Sequence, residues 1–222
     1  MSRRLILLRH GQTEYNATRR MQGQIDTELS ATGVEQARAA APLMREFKVG
    51  MILSSDLLRA QRTAEIVGAV LGLDFTCDER LRETHLGEWQ GKTHEEIDDA
   101  DAGIRAHWRN TASWAPPAGE SRLDVARRAR PVVDELMETY EEWDNAAVLI
   151  VAHGGTISAL TSSLLGFEEH QYPLLKSLGN TNTARLQAMP RYRVGHPSAR
   201  FASTKPEDVQ WYLEAWNQGL SV

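Results

Sequence analysis

Cys77 is the single cysteine of this 222-residue chain, so an intramolecular disulfide is excluded and a reducing compartment is the natural setting. Long apolar runs are missing as well: nothing approaches the roughly 20 residues that a membrane helix needs. Arg3 and Arg4 precede only Leu5 to Leu8, too short for a signal-peptide core, and a cytoplasmic protein with no membrane partner is expected. Positive charge is in deficit, with 25 Lys and Arg against 30 Asp and Glu for a net charge of −5. Nucleic acid is therefore a poor partner, although a local positive pocket for a small anion is compatible with that balance. No Gly-x-Gly-x-x-Gly loop is present to cradle a dinucleotide. His85, His94, His107, His170 and His196 show no metal-ligand spacing, so neither a metal nor another cofactor is expected. Internal repeats and low-complexity tracts are absent.

What is there describes an ordinary globular protein: 41% hydrophobic and 25% charged, enough for a sizeable core. One domain over residues 1–222 is the expectation from length. Apolar runs at Arg4 to Leu8, Met51 to Ser54 and Ala147 to Val151 read as buried strands, with a short strand near Phe75. Ser30 is placed to cap a helix reaching about Phe47. Asp56 is placed to cap one bearing Leu57, Ala60, Ala64, Val67 and Leu71, which Gly72 can end. Ser121 with Asp124 resembles a capping box opening a helix to about Tyr140. A helix from Thr156 to about Leu165, a strand near Ala184 to Met189, and an edge strand from Val209 to Trp216 complete the pattern. Strands alternating with helices predict an α/β three-layer sandwich, its central sheet mostly parallel and covered by helices on both faces. Residues 85–121, rich in tryptophan and closing on Pro116-Pro117-Ala118-Gly119, read as an inserted lid region outside the sheet.

Four stretches carry chemistry. Arg9-His10-Gly11-Gln12-Thr13 follows the first apolar strand, and the C-terminal end of a parallel strand is where ligand chemistry is placed. It delivers an imidazole, able to act as a nucleophile, beside a guanidinium that grips oxyanions. Ser54-Ser55-Asp56-Leu57-Leu58-Arg59 puts Arg59 in the first turn of a helix, where the dipole and free N–H groups already favour an anion. Leu81 to Gly91 holds the Glu83 carboxylate in a loop punctuated by glycine. His153-Gly154-Gly155 sets a second imidazole and exposed amides at a strand-to-helix corner. Arg19, Arg20 and Arg62 are expected to be solvated, and the tryptophans to serve core or lid packing.

These four motifs, in this order and spanning essentially the whole chain, resemble the histidine phosphatase superfamily, also called phosphoglycerate mutase-like. The resemblance implies a phosphohistidine mechanism on a small phosphorylated substrate. His10 would accept the phosphoryl group, with Arg9, Arg59 and His153 clamping it. Glu83 would protonate the leaving alcohol and then deprotonate the hydrolytic water. Asn16, Gln22 and Gly154 would line the substrate pocket. The charge spread over three equatorial oxygens in phosphoryl transfer calls for such positioned cations.

Mutases of the superfamily follow the acidic residue with Arg-His-Tyr-Gly. Here Thr84-His85-Leu86-Gly87 stands there, which favours hydrolysis over return transfer. Further stretches resemble the branch that hydrolyses glucosyl-3-phosphoglycerate: Arg20 to Gln24, Asp26 to Ser30, Leu81 to Gly91 with Thr93-His94, and Trp114 to Pro116 followed by Gly119 to Arg122. That likeness implies glucosylglycerate as product, with mannosyl-3-phosphoglycerate, α-ribazole phosphate and a phosphoglycerate mutase activity as alternatives. Members of the superfamily are often dimers, and the apolar C-terminal segment is where a homodimer would pair.

Overall fold

The computed structural model describes residues 2–192, 201 and 204–219, and His196 lies outside them. The chain runs β1 (Arg3–Arg9), α1 (Glu14–Ala17), α2 (Ala31–Ala40), β2 (Val49–Ser54), α3 (Leu58–Leu71) and β3 (Phe75–Cys77). It continues through α4 (His94–Ala100), α5 (Ile104–Asn110), α6 (Arg122–Thr139), β4 (Ala147–Ala152), α7 (Gly154–Leu164), β5 (Thr183–Pro190) and β6 (Val209–Gln218).

The six strands form one sheet in the order β3-β2-β4-β1-β5-β6. The first four are mutually parallel, while β5 pairs antiparallel with β1 and β6 pairs antiparallel with β5, closing one side with β6 at the edge. β1 and β4 lie at the centre and lack alternation because both faces are covered. Leu5, Leu7, Val148 and Ile150 point to one side, where they pack with Val132, Val133 and Met137 of α6 and Ile157 and Leu160 of α7. Ile6, Leu8, Leu149 and Val151 point to the other, against Ala60, Ala64 and Val67 of α3 and Met44. The expected three layers are therefore present.

Two local expectations are corrected. The helix capped by Ser30 is α-helical only to Ala40; Pro42, which has no N–H to donate, opens a tighter 3-10 segment over Ala41–Phe47. Asp56 does not cap α3. Leu57 occupies the cap position without a side-chain bond, and the Leu58 N–H is met by Asp26 Oδ1 at 2.8 Å. Asp56 instead pairs with the Arg82 guanidinium. Gly72 ends α3 in the left-handed conformation, as read.

Residues 85–121 contribute no strand. They carry α4 and α5 and a small core of their own, in which Met21, Leu86, Trp89 and Ile97 pack with Trp108 and Trp114. Among the described residues, no helix is long and apolar enough to cross a membrane.

Candidate active site

The sheet register brings the two His-Gly corners together. Arg9 of β1 pairs with Ala152 of β4, so the next residue on each strand, His10 and His153, leaves the same end of the sheet. The His10 N–H donates to the Ala152 carbonyl at 3.0 Å, and the two rings lie with centroids 5.0 Å apart. Both are buried, at 2% and 0% exposure.

His10 Nδ1 lies 2.6 Å from the carbonyl oxygen of Gly11. A carbonyl only accepts, so the ring proton sits on Nδ1 and the lone pair on Nε2. Burial first, and then the charges of Arg59 and Arg9, holds the His10 imidazole well below its ordinary pKa of 6.5. Burial, reinforced by Arg59 and then His10, does the same for His153. The result is a neutral imidazole whose free nitrogen is a competent nucleophile.

Around it stand two desolvated guanidinium groups. Arg9 donates through Nη1 to the Leu178 carbonyl. Arg59 donates through Nη1 to Ile25 O at 2.9 Å and through Nη2 to Gly23 O at 2.8 Å. In both, the Nε–H is buried and without a partner. Burial lowers the Arg59 pKa to about 10, partly offset by Glu83 and Asp26, so the group stays cationic at neutral pH. Two buried cationic donors left unsatisfied beside a neutral nucleophile are a ready site for an oxyanion.

Glu83 faces them from the loop after β3. Its Oε1 accepts the N–H groups of Thr84 (2.7 Å) and Thr156 (3.2 Å), and its Oε2 that of Gly155 (3.1 Å). The last two donors belong to the first turn of α7, whose dipole favours a carboxylate. The approach requires glycine: a Cβ on Gly155 would fall 2.5 Å from Glu83 Oε1. The loop is tied from outside by Arg128 of α6, which donates to the carbonyls of Arg80 (2.7 Å) and Glu83 (2.9 Å). Arg128 also donates to both carboxylate oxygens of Glu120, and one of them, Oε2, accepts the His85 N–H as well.

A cavity of about 790 Å³ opens over this centre, and Arg9, His10, Arg59, Glu83, Asn16, Gln22 and Gly154 all line it. His153 does not. It stands behind His10, with Nε2 2.8 Å from Ser55 Oγ. Asn16 and Gln22 also have internal duties. Asn16 Oδ1 accepts from the Thr13 N–H and from Asn180 Nδ2, and Gln22 bonds Thr13 and Thr27. Arg19 and Arg20, expected in solvent, are exposed yet border the mouth.

Several contributors escaped the sequence reading. Ser55 is the direct partner of His153, and Asn180 braces the His10 carbonyl at 3.1 Å. Asn180 lies in the run Gly179-Asn180-Thr181-Asn182 just before β5, a polar turn signature that marked a loop but no function. Among the described residues, no group of His, Cys, Asp and Glu is arranged to hold a metal ion.

Comparison with known proteins agrees with this geometry. The family model for the histidine phosphatase superfamily (branch 1) matches residues 5–217. The chain is 49% identical to the glucosyl-3-phosphoglycerate phosphatase of Mycolicibacterium vanbaalenii, over 99% of this chain and 96% of that one. It is 46% identical to the protein of the same name from Mycobacterium tuberculosis, over 100% and 97%. The solved structure of a mycobacterial glucosyl-3-phosphoglycerate phosphatase in complex with VO3 superposes with a TM-score of 0.87 at 45% identity, covering 97% of this chain and 98% of that one. With a neutral imidazole between two arginines at the sheet end and a family match over nearly its whole length, the chain belongs to the histidine phosphatase superfamily.

Proposed function

We propose that the protein hydrolyses a phosphomonoester through a phosphohistidine at His10, with glucosyl-3-phosphoglycerate as substrate and glucosylglycerate and phosphate as products. The carrying observation is the free Nε2 of a neutral His10 beside the unpartnered, buried Nε–H groups of Arg9 and Arg59. The substrate comes from the named relatives.

In the first half-reaction His10 Nε2 attacks phosphorus while the ester P–O bond breaks, and protonated Glu83 gives its proton to the departing alkoxide. Arg9 and Arg59 take up charge that builds on the equatorial oxygens. In the second, Glu83 as carboxylate removes a proton from water, the resulting hydroxide attacks phosphorus, and the N–P bond breaks to release phosphate. His153 supports the clamp from behind: it packs on His10 and carries no charge of its own against the imidazole. Gln22, Asn16 and Gly154 form the wall nearest the phosphoryl group. Residues 85–121 act as a lid over a single catalytic domain, and the proposal extends to a cytoplasmic homodimer paired along the outer edge of β6.

Thr84 and Leu86 border the cavity where mutases carry arginine and tyrosine, which favours water over a second sugar acid as acceptor. Two measurements test the reading. Acid-labile phosphate is expected on the wild-type protein after rapid mixing with substrate and is absent from His10→Ala. Across glucosyl-3-phosphoglycerate, mannosyl-3-phosphoglycerate, 3-phosphoglycerate and α-ribazole phosphate, the first is expected to give the highest kcat/KM; equal values would reject the substrate while leaving the phosphatase.

A further inference from the structure

The cavity wall is far more cationic than a phosphoryl group requires. Seven of its lining residues are Arg or Lys, while Glu83 is its one carboxylate, in a chain whose net charge is −5. Arg9 and Arg59 lie at the floor beside His10. Away from the floor, where the lid borders the cavity, stand Arg109 at the end of α5 and Arg122 at the start of α6. Neither forms an ion pair among the described residues, in contrast to Arg105, Arg127 and Arg128 nearby, which all do.

Their placement works against local electrostatics. Arg122 is the first residue of an 18-residue helix, where the dipole disfavours a cation. Its Nη1 is fixed on the Arg109 carbonyl at 2.7 Å, and its guanidinium lies 5.5 Å from the Trp108 ring centroid. Burial and the neighbouring Arg109 charge together lower its pKa. Two like charges held close together over a cavity, one of them partly desolvated and neither neutralised, are balanced only when an anion arrives.

We propose that Arg122 and Arg109 form a second anion subsite, which takes a carboxylate on the alcohol portion of the substrate while the phosphoryl group sits on Arg9, Arg59 and His10. This deepens the proposed function and rests on it: the substrate is a phosphomonoester that is also an acid, and Arg109 and Arg122 select it. Both ends of such a molecule are then gripped by guanidinium groups, and the ester bond is oriented toward His10 from two sides.

The test uses the intact protein and three substrates. 3-Phosphoglycerate and glycerol 3-phosphate differ by one carboxylate against one hydroxymethyl group, and p-nitrophenyl phosphate reports the phosphoryl chemistry alone. Wild-type protein is expected to prefer 3-phosphoglycerate over glycerol 3-phosphate by about ten- to a hundredfold in kcat/KM, the range for a charge-assisted contact. Arg122→Gln and Arg109→Gln are expected to bring that ratio close to one, mainly through KM, with p-nitrophenyl phosphate turnover kept within about twofold; Arg122→Lys should restore part of it. A wild-type ratio near one, or a ratio that survives in both glutamine variants, overturns the subsite. Failure of the phosphohistidine reading has a different signature, in which p-nitrophenyl phosphate turnover persists in His10→Ala.

Discussion

A single added methyl group at Gly155 should separate the fold of this protein from its chemistry. In Gly155→Ala the new Cβ would lie 2.5 Å from Glu83 Oε1 and 2.6 Å from Thr84 Oγ1, whereas ordinary contact begins at 3.4 Å. Glu83 must therefore retreat by about 0.9 Å, the difference between those two distances. Thr84 Oγ1 must yield by about 0.8 Å as well; both atoms belong to side chains, so the backbone need not follow. Alanine gains roughly 0.8–1 kcal/mol over glycine within a helix, and weakening one or two hydrogen bonds to Glu83 removes about 0.5–1.5 kcal/mol each. The net change in stability should stay near 1 kcal/mol, and Tm should move by only about 2–4 °C. Catalysis should suffer far more, since misplacing a reacting group by about 1 Å can lower a rate on the order of a hundredfold. Pre-steady-state kinetics reads the difference. p-Nitrophenolate leaves without needing a proton, so its burst should keep the wild-type rate, while the water step that follows slows and phosphohistidine accumulates. An alkyl phosphate, whose alkoxide needs the Glu83 proton, should be slowed already in the phosphorylation step. If the burst slows as much as alkyl phosphorylation does, or if neither step changes, the assignment of Glu83 as the proton carrier is refuted.

Three other outcomes are expected. Arg128→Met frees the carbonyls of Arg80 and Glu83 and leaves Glu120 without its cation; alkyl phosphate turnover should fall about tenfold with the p-nitrophenolate burst retained, and Arg128→Lys should recover part of the loss. The buried, neutral His10 and His153 have folded-state pKa values below 6.5, so below pH 6.5 the unfolded chain binds protons that the folded chain refuses. Stability should then be fully present above pH 6.5 and decline beneath it toward the folded values, by up to about 1.4 kcal/mol per pH unit for each histidine. Urea unfolding at pH 7.5 and 5.5 measures this slope, which should flatten in His153→Gln. Arg59→Lys cannot reproduce a guanidinium that holds Ile25 O and Gly23 O through two nitrogens while lining the cavity; kcat on p-nitrophenyl phosphate should drop by roughly 10³ or more, measured by phosphate release.

The central strands were legible because β1 and β4 are uninterrupted apolar runs, and burial on both sheet faces leaves that mark in any sequence. The capping box at Ser121 and Asp124 and the glycine stop at Gly72 were equally plain, since each is a short-range device. Asp56 misled because the real partner of the Leu58 N–H is Asp26, distant in sequence and brought near only by the folded loop. The apolar spacing continues past Ala40, which hid the change to a 3-10 segment at Pro42. Within the site, Arg9, His10 and Gly154 stood out at strand ends and corners, Arg59 in the first turn of a helix and Glu83 in a glycine-punctuated loop, and the family resemblance supplied their roles. His153 did too, yet its seat behind His10, away from the cavity wall, follows from side-chain packing that no string of letters records. Ser55 and Asn180 were illegible for the same reason: their partners are 98 and 170 residues away.

The pairing of Arg9 with Ala152 has a genetic corollary. The distance between the two imidazoles is written in a main-chain ladder, so conservative exchanges along residues 3–9 or 147–152 can repack the interior and leave that spacing untouched. Deleting or inserting one codon in either stretch is another matter. It would turn one histidine toward the opposite layer of helices, and a correctly layered protein would emerge with its two halves of the site facing apart.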